Sequence, residues 1–247
     1  MLKKKIYLIV LLLFAIKITN AQTTIKVDHF DKVIVSPHIE VTFIEGNEEK
    51  VTIDKSTVSA DKINIEVHGK TLRLYLDGAK EIEKNEKTYE DGQEVKRPIY
   101  TGTVVSATVT YKTFEELSVR GEETIVCKSA LKGDRFRLKI YGQSEVYLNE
   151  VSLEELKTTI YGESSLIIKA GSVTEQRYTS YGESKVNSLN INSNKTKITA
   201  YGESNFQLNV SDEIRLTAYG EATVDYKGNA IINKGLNFGE VRINKLD

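Results

Sequence analysis

The sequence predicts an all-β protein, a parallel β-helix (β-solenoid) with coils of about 20 residues. Three observations predict it. Gly121, Gly142, Gly162, Gly182, Gly202, Gly220 and Gly239 recur at steps of 21, 20, 20, 20, 18 and 19 residues. Between them apolar and polar residues alternate at period two, with Thr, Tyr, Val and Ile frequent. Three of the glycines sit in the tetrapeptide Tyr-Gly-Glu-Ser, at 161–164, 181–184 and 201–204. A period this short excludes helical-hairpin repeats, and strand-period alternation within it implies short strands stacked ~4.8 Å apart.

The elements follow in chain order. The opening MLKKKIYLIVLLLFAIKITNAQ has a basic start, an apolar run from Ile6 to Ile16 and small residues before Ala21. This is the layout of a signal peptide covering residues 1–21, and the apolar run is shorter than the ~20 residues a spanning helix needs. No later stretch is apolar enough to span, so the mature chain is expected to be exported, without a transmembrane segment. Its destination is the periplasm, the outer-membrane surface or the extracellular medium. With 34 basic and 35 acidic side chains, nothing points to nucleic acid or an anionic membrane. Cys127 is the single cysteine, which excludes a disulfide framework, and it follows Ile125 at period two, which places it inward.

Residues 22–247 read as one domain. Within it, 22–119 form strand-rich but irregular coils, with turn signals at Ser36-Pro37, Glu45-Gly46-Asn47 and His68-Gly69, and are expected to cover one open end of the stack. Residues 78–98, rich in charge and poor in apolar side chains, read as an exposed loop or disordered excursion. Residues 120–247 carry the regular repeats.

In those repeats the even offsets from each glycine are mostly apolar and face inward: Ile125, Val146, Leu166, Val186, Phe206 and Val224 make one such column. Ser144, Ser164, Ser184, Ser204 and Ala222 share that parity and suit a narrow corner. The odd offsets face outward and repeat their chemistry. Five before the glycine stand Arg137, Lys157, Arg177, Lys197, Arg215 and Lys234; three before, Lys139, Thr159, Thr179, Thr199 and Thr217. Immediately before stand Tyr141, Tyr161, Tyr181, Tyr201, Tyr219 and Phe238, and immediately after, Gln143, Glu163, Glu183, Glu203, Glu221 and Glu240.

The Tyr, Thr and Arg/Lys columns together form the candidate ligand face. Tyrosine offers contact area at low entropic cost, and hydroxyls and cations add polar contacts, which suits sugar rings and acidic glycans. Stacked tyrosines also stabilise a solenoid without any ligand. The Glu column reads as a solvated corner; calcium is the cofactor such carboxylates would take, with Glu163, Glu183, Glu203 and Glu221 as the candidate ligands. Opposed charges on the two sides of the tyrosines are expected to cancel in part. Catalysis has little support: His29, His38 and His68 lack metal-ligand spacing, no nucleophile or phosphate-loop motif appears, and no coil breaks the repeat.

The signal peptide, "FDKVIVSPHIEVTFIEGNEEKVTID", "LRLYL", "FEELSVRGEETI" and the serial glycine corners together resemble the GIN-domain (DUF2807) proteins, the heads of auto-transporter adhesins. The resemblance spans the mature chain. It implies a right-handed parallel β-helix, export from a Bacteroidota-type bacterium and an adhesin-like role; the corners written Tyr-Gly-Glu-Ser depart from that family's Gly-Ser-Gly-like pattern. The expected function is a non-catalytic surface or periplasmic module binding an extracellular or envelope glycan or protein. The alternatives are a carbohydrate-active β-helix enzyme of lyase or hydrolase type and a structural envelope protein that self-associates. Ligand and oligomeric state stay open at this point.

Overall fold

The computed structural model describes residues 22–90 and 93–247 and is all-β apart from one 3-10 turn, Ala60–Lys62. The segment read as a signal peptide lies outside the described residues. The strands in chain order are β1 (Thr23–Lys26), β2 (Lys32–Val35), β3 (Ile39–Glu45), β4 (Lys50–Ser56), β5 (Ile63–His68), β6 (Thr71–Leu76), β7 (Asn85–Glu90), β8 (Gln93–Pro98) and β9 (Val105–Tyr111). There follow β10 (Glu116–Gly121), β11 (Thr124–Cys127), β12 (Leu131–Gly142), β13 (Glu145–Leu148), β14 (Val151–Gly162), β15 (Ser165–Ile168) and β16 (Gly171–Tyr181). The last are β17 (Ser184–Lys227), which runs unbroken through successive coils, β18 (Ile231–Phe238) and β19 (Val241–Lys245).

From β10 onward successive coils pair in parallel and, apart from one bulge in β18, in register: Tyr141 lies beside Tyr161, Tyr161 beside Tyr181, Tyr181 beside Tyr201. The expected inward columns are inside. Ile125, Val146, Leu166, Phe206 and Val224 have no exposed surface, and Cys127 is equally buried, which pushes its thiol pKa up. The corner is tightly packed. All seven repeat glycines have φ between +105° and +134°, and a Cβ on Gly162 would lie 2.3 Å from the carbonyl oxygen of Gly142. That oxygen accepts the Glu163 N–H (2.9 Å) and the Ser164 hydroxyl (3.0 Å). Gly121 receives the same pair from Gln143 and Ser144. Ser144 and Ser164 therefore bond one coil to the previous one, beyond merely fitting a narrow corner, whereas the Ser184 hydroxyl is buried without a partner.

The N-terminal part completes the stack in an order different from the chain's. β2 and β3 pair in parallel with β10 and β11 on one side and with β6 and β9 on the other. The first coil in sequence is thus sandwiched between later ones. Beyond β6 and β9 the sheets end in antiparallel strands: β5 on β6, and β4 on β9 with β1 on β4. These cover that end, as solenoid ends require.

Two expectations need correction. Residues 78–98 are not a structureless excursion, since β7 and β8 pair as an antiparallel hairpin from Asn85↔Pro98 to Glu90↔Gln93. Alternating charge offers cross-strand pairing such as Lys87 with Glu94 at 2.9 Å, and β-ladder bonds need no apolar face. Lys234 leaves the basic column, because a bulge at Gly235 puts Asn233 beside Arg215 and Lys234 beside Leu216.

Val186 is 2% exposed, so Val186→Asp buries an unpaired carboxylate and is expected to cost about 3–5 kcal/mol; an unchanged melting temperature would overturn the inward assignment. Gly162→Ala and Gly69→Ala form a matched pair. Both positions have positive φ, but nothing lies within 4 Å of a Cβ on Gly69. Gly69→Ala should cost about 1–2 kcal/mol and Gly162→Ala clearly more, as read from urea midpoints.

Candidate ligand-binding face

The glycine corner sets the position of the tyrosine before it, so register becomes a ladder. Successive rings from Tyr141 to Tyr219 have centroids 4.8–4.9 Å apart and planes within 4° of parallel. The coil spacing and the ring spacing coincide, and a tilt of each ring turns 4.8 Å into offset stacking. Phe238 closes the ladder at one end, 5.7 Å from Tyr219. At the other, the Arg120 guanidinium lies 5.3 Å from the Tyr141 ring centre, held by Glu81, which also pairs with Arg73.

Stacking changes what the face can offer. Each inner ring has its two faces against neighbouring rings, so the stripe presents ring edges and phenol hydroxyls rather than open aromatic platforms. Tyr161, Tyr181, Tyr201 and Tyr219 are 36–39% exposed. Neither their hydroxyls and that of Tyr141 nor those of Thr159, Thr179, Thr199 and Thr217 take a side-chain hydrogen bond among the described residues. Two adjacent columns of free hydroxyls thus run along the solenoid.

The charges are arranged differently from expectation. Cancellation comes mainly from a column two residues before the basic one, Arg135, Glu155, Glu175, Lys195 and Glu213, rather than from across the tyrosines. Glu155 reaches Arg135 in the coil before and Arg177 in the coil after (3.1 Å); Glu175 also meets Arg177 (2.9 Å), and Glu213 meets Arg215 (3.0 Å). Arg137 lies 3.7 Å from Glu116. Lys157 and Lys197 are exposed and form no ion pair among the described residues. Glu163, Glu183, Glu203 and Glu221 are exposed beyond the glycine corner, the one contact being Gln143 with Glu163 at 3.4 Å. No group of three or more His, Cys, Asp or Glu side chains among the described residues could hold a metal ion.

A second cluster was missed in the sequence. One coil does break the repeat: Glu123 stands where later coils have Ser144, Ser164, Ser184 and Ser204. That mismatch was legible once the serine column was extended by one coil. Glu123 is 5% exposed, accepts the Glu122 N–H at 3.0 Å and lies 4.0 Å from His38 Nδ1. His38, the single non-glycine residue with positive φ (69°) among the described residues, donates from Nδ1 to the Gly102 carbonyl (2.8 Å). Its Nε2 is 3.3 Å from Glu83, which also accepts the Tyr100 N–H (2.6 Å). These groups line a cleft of about 460 Å³ at the root of the β7–β8 hairpin. Burial raises the Glu123 pKa, with backbone N–H groups and His38 opposing it.

Comparison with known proteins adds the following. The family model described as "Putative auto-transporter adhesin, head GIN domain" matches residues 29–230. A Bacteroides fragilis crystal structure described as a putative adhesin is similar, with a TM-score of 0.73 at 17% identity over 91% of this chain and 96% of the other. A putative adhesin from Parabacteroides merdae gives 0.65 at 17% identity over 92% and 96%. A protein of Parabacteroides distasonis described as a putative lipid binding protein gives 0.63 at 18% identity over 92% and 96%. At these identities the likeness is one of fold. No curated protein matches the chain. No helix among the described residues is long and apolar enough to cross a membrane.

The buried carboxyl makes a pH prediction. A raised pKa means that the folded chain holds a proton the unfolded chain has lost, so stability falls as pH rises from the ordinary carboxyl value through the raised one. Glu123→Gln keeps an acceptor for the Glu122 N–H without the charge. It should melt higher than wild type near neutral pH and show a flatter profile as pH rises above the ordinary carboxyl value; identical profiles would mean that Glu123 does not carry this dependence.

Proposed function

The chain belongs to the DUF2807 (GIN-domain) family, and on that premise we propose that it is an exported, adhesin-like module that binds a polysaccharide without turning it over. The ligand lies along the solenoid axis on the face made by Tyr141, Tyr161, Tyr181, Tyr201 and Tyr219 with the threonine and basic columns beside them. One observation carries this reading: two columns of hydroxyls without side-chain partners among the described residues recur coil by coil, beside tyrosine rings spaced 4.8–4.9 Å apart. A polymer of sugar units is the ligand whose own polar groups recur at short, regular intervals, so one match is multiplied along the chain. The apolar ring edges between the hydroxyls supply contact area, and the rigid ladder loses little entropy on binding.

Export rests on the segment before residue 22 and is supported by the family. The reading as a binder rather than an enzyme rests on the uniformity of the face. A hydrolase or lyase needs a catalytic group at one point, whereas each coil here presents nearly the same set. Calcium has no part in this mechanism; adding it should leave binding unchanged.

A glycan-array screen of the purified protein, with and without calcium, tests the proposal beside Tyr161→Phe/Tyr181→Phe/Tyr201→Phe. The triple variant keeps the stacked rings and removes only the hydroxyls, so its melting temperature should stay close to wild type. Its binding should fall by about tenfold or more, as expected when several hydrogen bonds of ~0.5–1.5 kcal/mol are lost. Absence of binding by the wild type, or undiminished binding by the variant, would reject the face as a polysaccharide site.

A further inference from the structure

We infer that the polysaccharide carries an acidic group on alternate sugars, with neutral sugars between them. The inference rests on the polysaccharide reading above and deepens it. In the basic column, Arg and Lys alternate: Arg137, Lys157, Arg177 and Lys197 stand in register, and Arg215 follows. From Lys157 to Arg215 the arginines are occupied: Glu155 and Glu175 meet Arg177 at 3.1 and 2.9 Å, and Glu213 meets Arg215 at 3.0 Å. Arg137, at the start of the column, shares Glu116 (3.7 Å) with the closer Lys139 (2.7 Å). Lys157 and Lys197 remain unpaired and exposed among the described residues. Between Lys157 and Arg215 free positive charge therefore recurs on every second coil, a spacing of roughly 10 Å for ~4.8 Å coils.

The opposite edge of the face has the opposite sign and twice the frequency. Glu163, Glu183, Glu203 and Glu221 are exposed on successive coils without a cation partner among the described residues. An extended chain of β-linked pyranoses advances by nearly one coil per sugar. With an acid on every sugar, half of its charges would face an arginine already neutralised, while all would lie near the carboxylate column. An acid on alternate sugars meets Lys157 and Lys197 in phase, and the neutral sugars give hydroxyl donors to the glutamates. The glutamate column then acts by exclusion, disfavouring the densely charged polymer through like-charge repulsion.

Titration calorimetry at low salt, where exposed charges are least screened, tests this with three octasaccharides. One alternates glucuronate with N-acetylglucosamine, one is β-1,4-linked oligomannuronate with an acid on every sugar, and one is the neutral cello-oligomer. The alternating oligomer should bind about tenfold more tightly than either of the others. Lys157→Met/Lys197→Met should remove that preference, and Glu163→Gln/Glu203→Gln should selectively strengthen oligomannuronate binding. Both sets are surface changes, and melting temperature checks that they fold. Equal or tighter binding of oligomannuronate, or a lysine variant that retains the preference, overturns the inference. If the array hits stay sensitive to the tyrosine hydroxyls in that case, the polysaccharide face survives; if no octasaccharide binds, alternate acidity is rejected and the array alone decides the parent reading.

Discussion

Close approach of one corner to the next governs this molecule. From Gly142 onward each repeat glycine packs against the carbonyl oxygen of the glycine below, and at all of them but Gly182 a methyl group would not fit, as the 2.3 Å separation at Gly162 shows. Two hydrogen bonds from the following coil, one from an amide and one from a serine hydroxyl, end on that oxygen in the coils around Gly121 and Gly142. The corner thus sets height and register together. A slip of one residue would break both bonds and turn every inward side chain outward.

Register has consequences at the surface, because identical residues are brought together repeatedly. For tyrosine this is favourable: offset stacking contributes ~0.5–1.5 kcal/mol per pair beyond buried area. For charge it is unfavourable, and the chain handles the two signs differently. Its basic column is relieved by Glu155, Glu175 and Glu213 reaching sideways to arginines, while its acidic column stays in water at the corner, where the dielectric keeps repulsion small. The face consequently combines a stiff aromatic spine, unpaired hydroxyls and sparse free lysines. Such a surface suits a periodic ligand better than a compact one.

Irregularity is concentrated at one end. The hairpin β7–β8, the clamp of His38, Glu83 and Glu123, and the antiparallel strands β1, β4 and β5 all belong to the first part of the chain. Glu81 links this region to the ladder through Arg120, whose guanidinium covers Tyr141. The first ring of the face is therefore held by the same segment that closes the stack. An uncovered parallel sheet would otherwise expose backbone groups to any passing strand.

How much of this was legible beforehand varies with the range of the interaction. Coil length, strand parity, inward Cys127, and the outward typing of Tyr, Thr and Glu all follow from spacing, because a period-two strand on a fixed repeat leaves each position a single side. The serines were recognised as small and inward, but the bonds of Ser144 and Ser164 to glycine carbonyls belong to three dimensions. Four features lay beyond a linear reading: β2–β3 inserted between β6–β9 and β10–β11, a hairpin in 78–98, Lys234 displaced by a bulge, and a buried Glu123 beside His38. The candidate face divides along the same line. Its residue columns stand out in the sequence, since they repeat; that the ring faces are covered and that lysines rather than arginines are free was decided by contacts between coils. The sequence by itself determined the repeat and its sidedness, which are local and periodic, and tertiary structure decided stacking order and charge pairing, which depend on neighbours distant in the chain.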